Sequence, residues 1–236
     1  MGADGKFQDP PVEPTIDRRR ALVLTCVVVA FELSIAAYGF SRVPSGSLVA
    51  VHFDATGHAN GYGSALWAFL LIPGMTVAIS ALLAFVPSIE PRRRNLNLSG
   101  KAYTATWMSL LVLMACVQAV IVLSAVGLAR SDVVARLVPA GVGLVLMIVG
   151  NYLGKVRSNF FFGIRTPWTL SSERSWNRTH RLGGRLIFGL GLVALVTPVI
   201  PWAGVVALAA GVPVVIVVLV IYSYVEWSRD PGKLKV

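Results

Sequence analysis

Six apolar stretches, each near the length that crosses a bilayer, dominate this chain: Ala21–Phe40, Ala65–Val86, Thr104–Ala129, Leu137–Leu153, Leu186–Pro201 and Ala203–Val225. A helix needs about 20 apolar residues to cross the hydrocarbon core. Inside lipid every backbone polar group must find its partner within the protein, which favours helices. Composition agrees, since 56% of the residues are hydrophobic and only 14% charged, against about a quarter charged in soluble domains. The chain is therefore expected to be an all-α integral membrane protein, a six-helix transmembrane bundle. The fifth stretch is the shortest, and "TPVIPW", ending at Trp202, predicts a tight turn before the sixth. Pro73-Gly74 and Pro213 mark expected kinks, tolerable where neighbouring helices satisfy freed backbone groups. Cys26 and Cys116 lie within apolar runs, which suits small packing residues rather than a disulfide framework.

The loops set the orientation. With the N-terminus placed inside, eighteen of the twenty-one Lys and Arg residues fall on the inner side, and only Arg42, Arg130 and Arg136 remain outside. By the positive-inside rule, both termini are expected in the cytoplasm. The net charge of +10 then reflects cytoplasmic loops facing anionic head groups, and no direct nucleic-acid binding is expected. Residues 1–19 read as a flexible cytoplasmic tail, 20–100 as two spans with a structured outer loop, and 228–236 as a second tail. The first apolar run is followed by no small-residue cleavage site, so it is expected to be retained. Position six is Lys6, which does not fit the myristoylation pattern.

The outer loop "SRVPSGSLVAVHFDATGHANGYGS" is rich in turn-forming residues. "LVAVHF" predicts one short strand and "DATGHANGYG" the turn after it. His52, Asp54 and His58 are donor types that suit zinc or copper. Three donors are few for a closed structural site, so a hydrogen-bonded turn is favoured and no metal is assigned. The pattern from Pro44 to Gly63, with His52, Asp54, Gly57, Asn60 and Tyr62, resembles a small bacterial membrane domain of unknown function. That resemblance implies an outer loop between two spans.

The inner loop, 154–185, lies within "GNYLGKVRSNFFFGIRTPWTLSSERSWNRTHRLGGRL". Pro167 biases Thr166 toward extended backbone, so "GIRTPW", entered through Gly163, is expected to be a loop. Thr169 or Ser171 is expected to cap a helix starting near Ser172, with Glu173 at its positive end. Arg174, Arg178, Arg181 and Arg185 would form one basic stripe, meeting lipid phosphates or an acidic partner, while Trp176 and Thr179 pack inward. His180 and Glu173 lie nearly two turns apart, far for an acid–base pair. No phosphate-binding Gly-rich motif followed by Lys-Ser/Thr occurs. No enzyme and no cofactor is predicted. Basic and aromatic anchoring at a membrane boundary explains the arginines but not the order of "GIRTPWTL".

This stretch resembles the signature of the SdpI family, named for immunity to a bacterial sporulation-delaying toxin. The resemblance rests on "GNYL", on Asn159, Phe162, Gly163, Arg165, Thr166, Pro167 and Trp168, and on Trp176, Thr179, His180, Arg181 and Gly183. It implies a four-helix region over 101–227 and a multi-pass protein of the bacterial plasma membrane. It further implies resistance to an extracellular antimicrobial peptide and recruitment of a cytoplasmic repressor to this loop. The residues themselves leave open whether the loop grips a partner or braces spans four and five.

Glu32 is a lone acid twelve residues into the first span, about 18 Å deep at about 1.5 Å per residue. Charges at that depth are costly and usually paired or functional. Thr76, Ser80, Gln118 or a tyrosine hydroxyl are its expected partners. A protonated polar clasp and a proton-linked transporter or flippase are the two readings.

Overall fold

The computed structural model describes residues 16–54 and 57–234. Residues 1–15, most of the expected N-terminal tail, lie outside it. The helices are α1 (Arg18–Arg42), α2 (Ala65–Ile89), α3 (Arg93–Leu98), α4 (Gly100–Ala125), α5 (Ser131–Leu153), α6 (Pro167–Leu170), α7 (Glu173–Leu195), α8 (Pro201–Val205) and α9 (Val212–Ser228). Two strands, β1 (Leu48–Phe53) and β2 (Ala59–Ser64), form an antiparallel hairpin between α1 and α2. The second strand corrects the expectation of a single strand and a long turn. "ANGYGS" reads as turn chemistry, yet its backbone pairs with β1 from Leu48↔Ser64 to Phe53↔Ala59.

Five helices among the described residues are long and apolar enough to cross a membrane: Arg18–Arg42, Ala65–Ile89, Gly100–Ala125, Val133–Leu153 and Trp202–Ser228. The expected fifth stretch, Leu186–Pro201, is helical only to Leu195 and forms the second half of α7. Its ten apolar helical residues rise about 15 Å, half of the roughly 30 Å hydrocarbon core. The third span is displaced toward the N-terminus. It stops at Ala125, where the Leu128 amide turns back to the Leu123 carbonyl at 2.8 Å. The last span is continuous from α8 to α9 through a π-helical turn, Val206–Gly211. Pro213 follows that turn; it has no N–H to give the carbonyl four residues earlier, and a widened turn is a known accommodation.

Helices α1, α2 and α4 pack as one group, α5, α7 and α9 as another, joined by α4 against α5. Large apolar side chains cover the outward faces, among them Val23, Val27, Leu82, Phe85, Ile216 and Ile221. Such a surface is unstable in water and suits lipid. Cys26 and Cys116 also lie on exposed faces, so the expectation that they pack inside is corrected.

The α5–α7 contact is the most extensive between helices. It depends on four glycines whose backbones touch. A Cβ on Gly184 would stand 2.7 Å from the Gly150 carbonyl, and one on Gly191 would stand 2.5 Å from the Gly143 carbonyl. Small residues that let helix backbones approach are a recurring device in membrane bundles.

Candidate functional site

Residues 154–172, here the strap, cross one end of the bundle from α5 to α7. The helix expected to start near Ser172 within this inner loop forms: α7 begins at Glu173, and its cap is Ser172 rather than Thr169 or Ser171, the Ser172 Oγ accepting the Ser175 amide at 3.0 Å. "GIRTPW", expected as loop, is partly helical. Thr166 is extended (φ −112°, ψ 161°) and caps the one-turn helix α6, in which Pro167 holds the first position and Thr169 returns a bond to the Thr166 amide. Pro at that position gives up an N–H that would have no helical partner.

Two side chains organise the strap from within. Asn159 is fully buried. Its amide donates to the carbonyls of Arg157 (2.8 Å) and Phe162 (2.9 Å), and its oxygen accepts the amides of Phe161 (3.0 Å) and Phe162 (2.6 Å). His180, also fully buried, donates from Nδ1 to the Trp176 carbonyl at 2.8 Å and accepts the Ile164 amide at Nε2, 2.9 Å. Both ring nitrogens are thus used, and burial pushes the imidazole pKa down to about 4. Its ring stacks on Trp176 with centroids 4.0 Å apart, and Trp176 Nε1 donates to the Val156 carbonyl at 2.8 Å. Gly163 passes directly over this histidine. Its φ of +125° belongs to glycine, and a Cβ there would meet Nε2 at 2.5 Å.

Residues that sequence reasoning missed complete the strap. Buried Glu90 accepts the Phe160 amide (3.0 Å) and the Arg92 amide (2.9 Å). Arg92 donates to Ser158 Oγ and to the Leu170 carbonyl, and lies over the Phe160 ring. Asn95 donates to the Ser158 carbonyl at 2.8 Å, and Ser99 Oγ accepts the Arg157 amide at 2.9 Å. The clue was Glu90 itself, the one acid in the basic segment between the second and third spans.

The arginine stripe divides in two. Arg174 and Arg178 both reach Glu226 on α9, at 3.0 and 3.4 Å. Their acidic partner is internal. Arg181 and Arg185 have no hydrogen bond or ion pair among the described residues and are exposed. The C-terminal segment folds back over the same region. Ser172 Oγ donates to Asp230, which holds that carboxyl below its usual range, and the Leu234 amide donates to the Ser171 carbonyl at 3.0 Å.

Of the proposed strap positions, Asn159, Thr166, Trp176, Thr179, His180 and Gly183 are buried. Phe162 packs edge-on against Tyr103 with centroids 5.5 Å apart, and Trp168 packs similarly against Tyr224 at 5.3 Å. Arg165, Pro167 and Arg181 are exposed, together with Phe160 and Phe161.

At the opposite end, His52 Nδ1 and Asn60 Oδ1 share a hydrogen bond across the hairpin. Asp54 accepts the His58 amide at 3.0 Å, Gly57 turns with φ +83°, and Tyr62 stands 60% exposed. Ala55 and Thr56 of the expected turn lie outside the described residues. No group of three or more His, Cys, Asp or Glu is placed to hold a metal among the described residues. The hairpin roofs a cleft of about 380 Å³ lined by His52, Asp54, Ile121, Pro139, Gly204 and Leu208.

Between the two ends, Glu32 is fully buried. It accepts a hydrogen bond from Thr76 at 2.9 Å through Oε1, while Oε2 has no partner. Of the other expected partners, Gln118 donates to the Phe69 carbonyl and Ser80 accepts from Trp107.

Residues 155–224 match the SdpI/YfhL protein family, and residues 26–77 match a domain of unknown function, DUF1648. The immunity protein SdpI of Bacillus subtilis (strain 168) is 36% identical over 56 residues, 24% of this chain and 27% of that protein. The match thus spans about a quarter of the relative's length. No solved structure matches. With apolar helices of spanning length on both sides, this is a multi-pass protein of the bacterial plasma membrane. The strap, its buried Asn159–His180 framework and the helices they join, residues 155–224, are thus the part of the chain that is similar to the SdpI/YfhL family.

Proposed function

We propose that this chain is a membrane immunity protein that protects its cell from an extracellular antimicrobial peptide. The observation that carries this reading is the family match over the strap and its helices, shared with a protein named for immunity. In this reading the chain crosses the membrane six times, α7 making the fifth crossing, and both termini and the strap face the cytoplasm. The excess of Lys and Arg at the strap end supports that orientation. The hairpin and the cleft beneath it face outward and receive the peptide. The π-helical turn in the cleft's wall supports this assignment, because such turns concentrate at functional sites. The exposed part of the strap, Phe160, Phe161, Arg165 and Pro167, is the surface offered to a cytoplasmic repressor. The chemistry is binding rather than catalysis, in keeping with a His180 whose nitrogens are both committed to backbone.

The test is deletion and complementation under challenge with a broad panel of membrane-active peptides. Complemented cells survive at least one peptide that kills the deletion strain; equal sensitivity across the panel overturns the proposal.

A second reading, a proton-linked transporter or flippase, rests on Glu32. A buried carboxyl oxygen without a partner is expensive in a membrane. A Glu32→Gln variant separates the two, since a transporter loses its pH-dependent activity and a structural clasp does not.

A further inference from the structure

At the strap end, where α5 leaves the bundle and α7 enters it, a groove of about 530 Å³ opens on the outer surface. Its lining is Gly150, Asn151, Gly154 and Lys155 from the α5 side, and Arg181, Gly184, Arg185 and Phe188 from α7. Three cations face it and no acid does. Arg181 and Arg185 stand one turn apart on the same face of α7, where like charges repel. The two preceding arginines of the stripe are compensated by Glu226; these two have no hydrogen bond or ion pair among the described residues.

Two structural explanations fail on geometry. Neither guanidinium donates to a carbonyl of the last α5 turn, so neither caps that helix. Neither guanidinium is needed to fill the glycine crossing, because the backbones of Gly150 and Gly184 already touch there, and of Arg181 the stem is what approaches, its Cγ 3.6 Å from where a Cβ on Gly154 would stand. The glycines instead make a low floor, which leaves the three cationic side chains standing around an open space.

The level of the groove identifies its occupant. Arg185 immediately precedes the apolar run Leu186–Leu195, and Lys155 follows the apolar helix that ends at Leu153. All three cations therefore stand where apolar helix surface gives way to polar chain, the level of lipid head groups. Phe188 extends the groove one turn into the apolar zone, 38% exposed. Guanidinium groups suit phosphate oxygens by charge and by their planar donor geometry. We infer that this groove is a binding site for one anionic phospholipid, its phosphate held by Arg181, Arg185 and Lys155, with Asn151 as an additional hydrogen-bond donor and an acyl chain along Phe188.

The inference does not depend on the immunity reading and is tested separately. Purified full-length protein in a neutral detergent is titrated with short-chain phosphatidylglycerol and with phosphatidylcholine of equal chain length, binding being read by native mass spectrometry. Phosphatidylglycerol is expected to bind at least tenfold more tightly. The double variant Arg181→Gln, Arg185→Gln is expected to lose that preference, whereas Arg19→Gln, an exposed arginine outside the groove, keeps it. Glycerol phosphate at millimolar concentration is not expected to compete; full competition would reassign the site to a soluble phosphate and overturn the lipid assignment. Equal binding of the two lipids, or an undiminished preference in the double variant, also overturns it. If the double variant does not purify as a monodisperse protein, Lys155→Gln replaces it, because this exposed side chain lies outside both helices. Phosphatidylglycerol binding within twofold of native in that variant overturns the proposal.

Discussion

The two ends of this bundle are built on opposite plans. At the strap end, buried polar side chains tie the backbone together: Asn159 makes four bonds, His180 two, and Glu90 ties the strap to the segment before α4. At the hairpin end, the ribbon has two strands only, interrupted by register shifts at His52, and its most distinctive side chain, Tyr62, points into the surroundings. A buried polar network fixes one conformation, because each missing partner leaves a desolvated group. A two-stranded ribbon is held weakly and can adapt. Much of the residue order in the strap thus serves to hold it in place, and the hairpin end is the less constrained of the two.

Four substitutions or conditions probe that contrast, in decreasing order of effect. Gly163→Ala forces a side chain into positive φ and against His180 Nε2; the expected loss is about 3 kcal/mol or more, seen as a much lower thermal midpoint of the detergent-solubilised chain. Asn159→Ala leaves two amides and two carbonyls of the strap without their partner, and is expected to cost about 2–4 kcal/mol. A midpoint unchanged by either variant would show that the strap is not held as described.

Acidification comes third. Burial favours the neutral His180 ring in the folded protein, with a pKa of about 4, whereas an unfolded chain takes the proton near 6.5. Between those values the unfolded state binds more protons, so stability present above about pH 6.5 is lost as pH falls. The expected loss is about 2 kcal/mol by pH 5, and a His180→Gln variant should flatten that slope. Smallest is Tyr62→Ala at the hairpin, expected to change stability by less than about 0.5 kcal/mol. A large fall there would mean that the hairpin is as tightly built as the strap.

The spans were legible because hydropathy over a window is a sum, insensitive to local detail. The exception is instructive. Leu186–Pro201 read as a short span separate from the arginine-striped helix before it, yet the two are one helix that runs from Glu173 to Leu195 without interruption. Residue order identified the strap motif, but its partners Glu90, Arg92, Asn95 and Ser99 lie some sixty to seventy positions away. Nothing local couples the two segments. The second strand was hidden by Asn60, Gly61 and Gly63, which favour turns as short peptides and are held extended here by pairing with β1. The internal pairing of Arg174 and Arg178 was hidden for the same reason as the strap's partners, since Glu226 belongs to a different helix.

In the proposed function, protection is exerted from the hairpin end while the strap end holds the architecture. The direct measurement is survival of the deletion strain under a peptide against which the native chain protects, complemented with His52→Ala, Asn60→Ala, Tyr62→Ala in one chain. Membrane levels and thermal midpoint are matched to native. Protection is predicted to fall to that of the deletion strain. Survival equal to the native complement, at equal protein level, would contradict the claim.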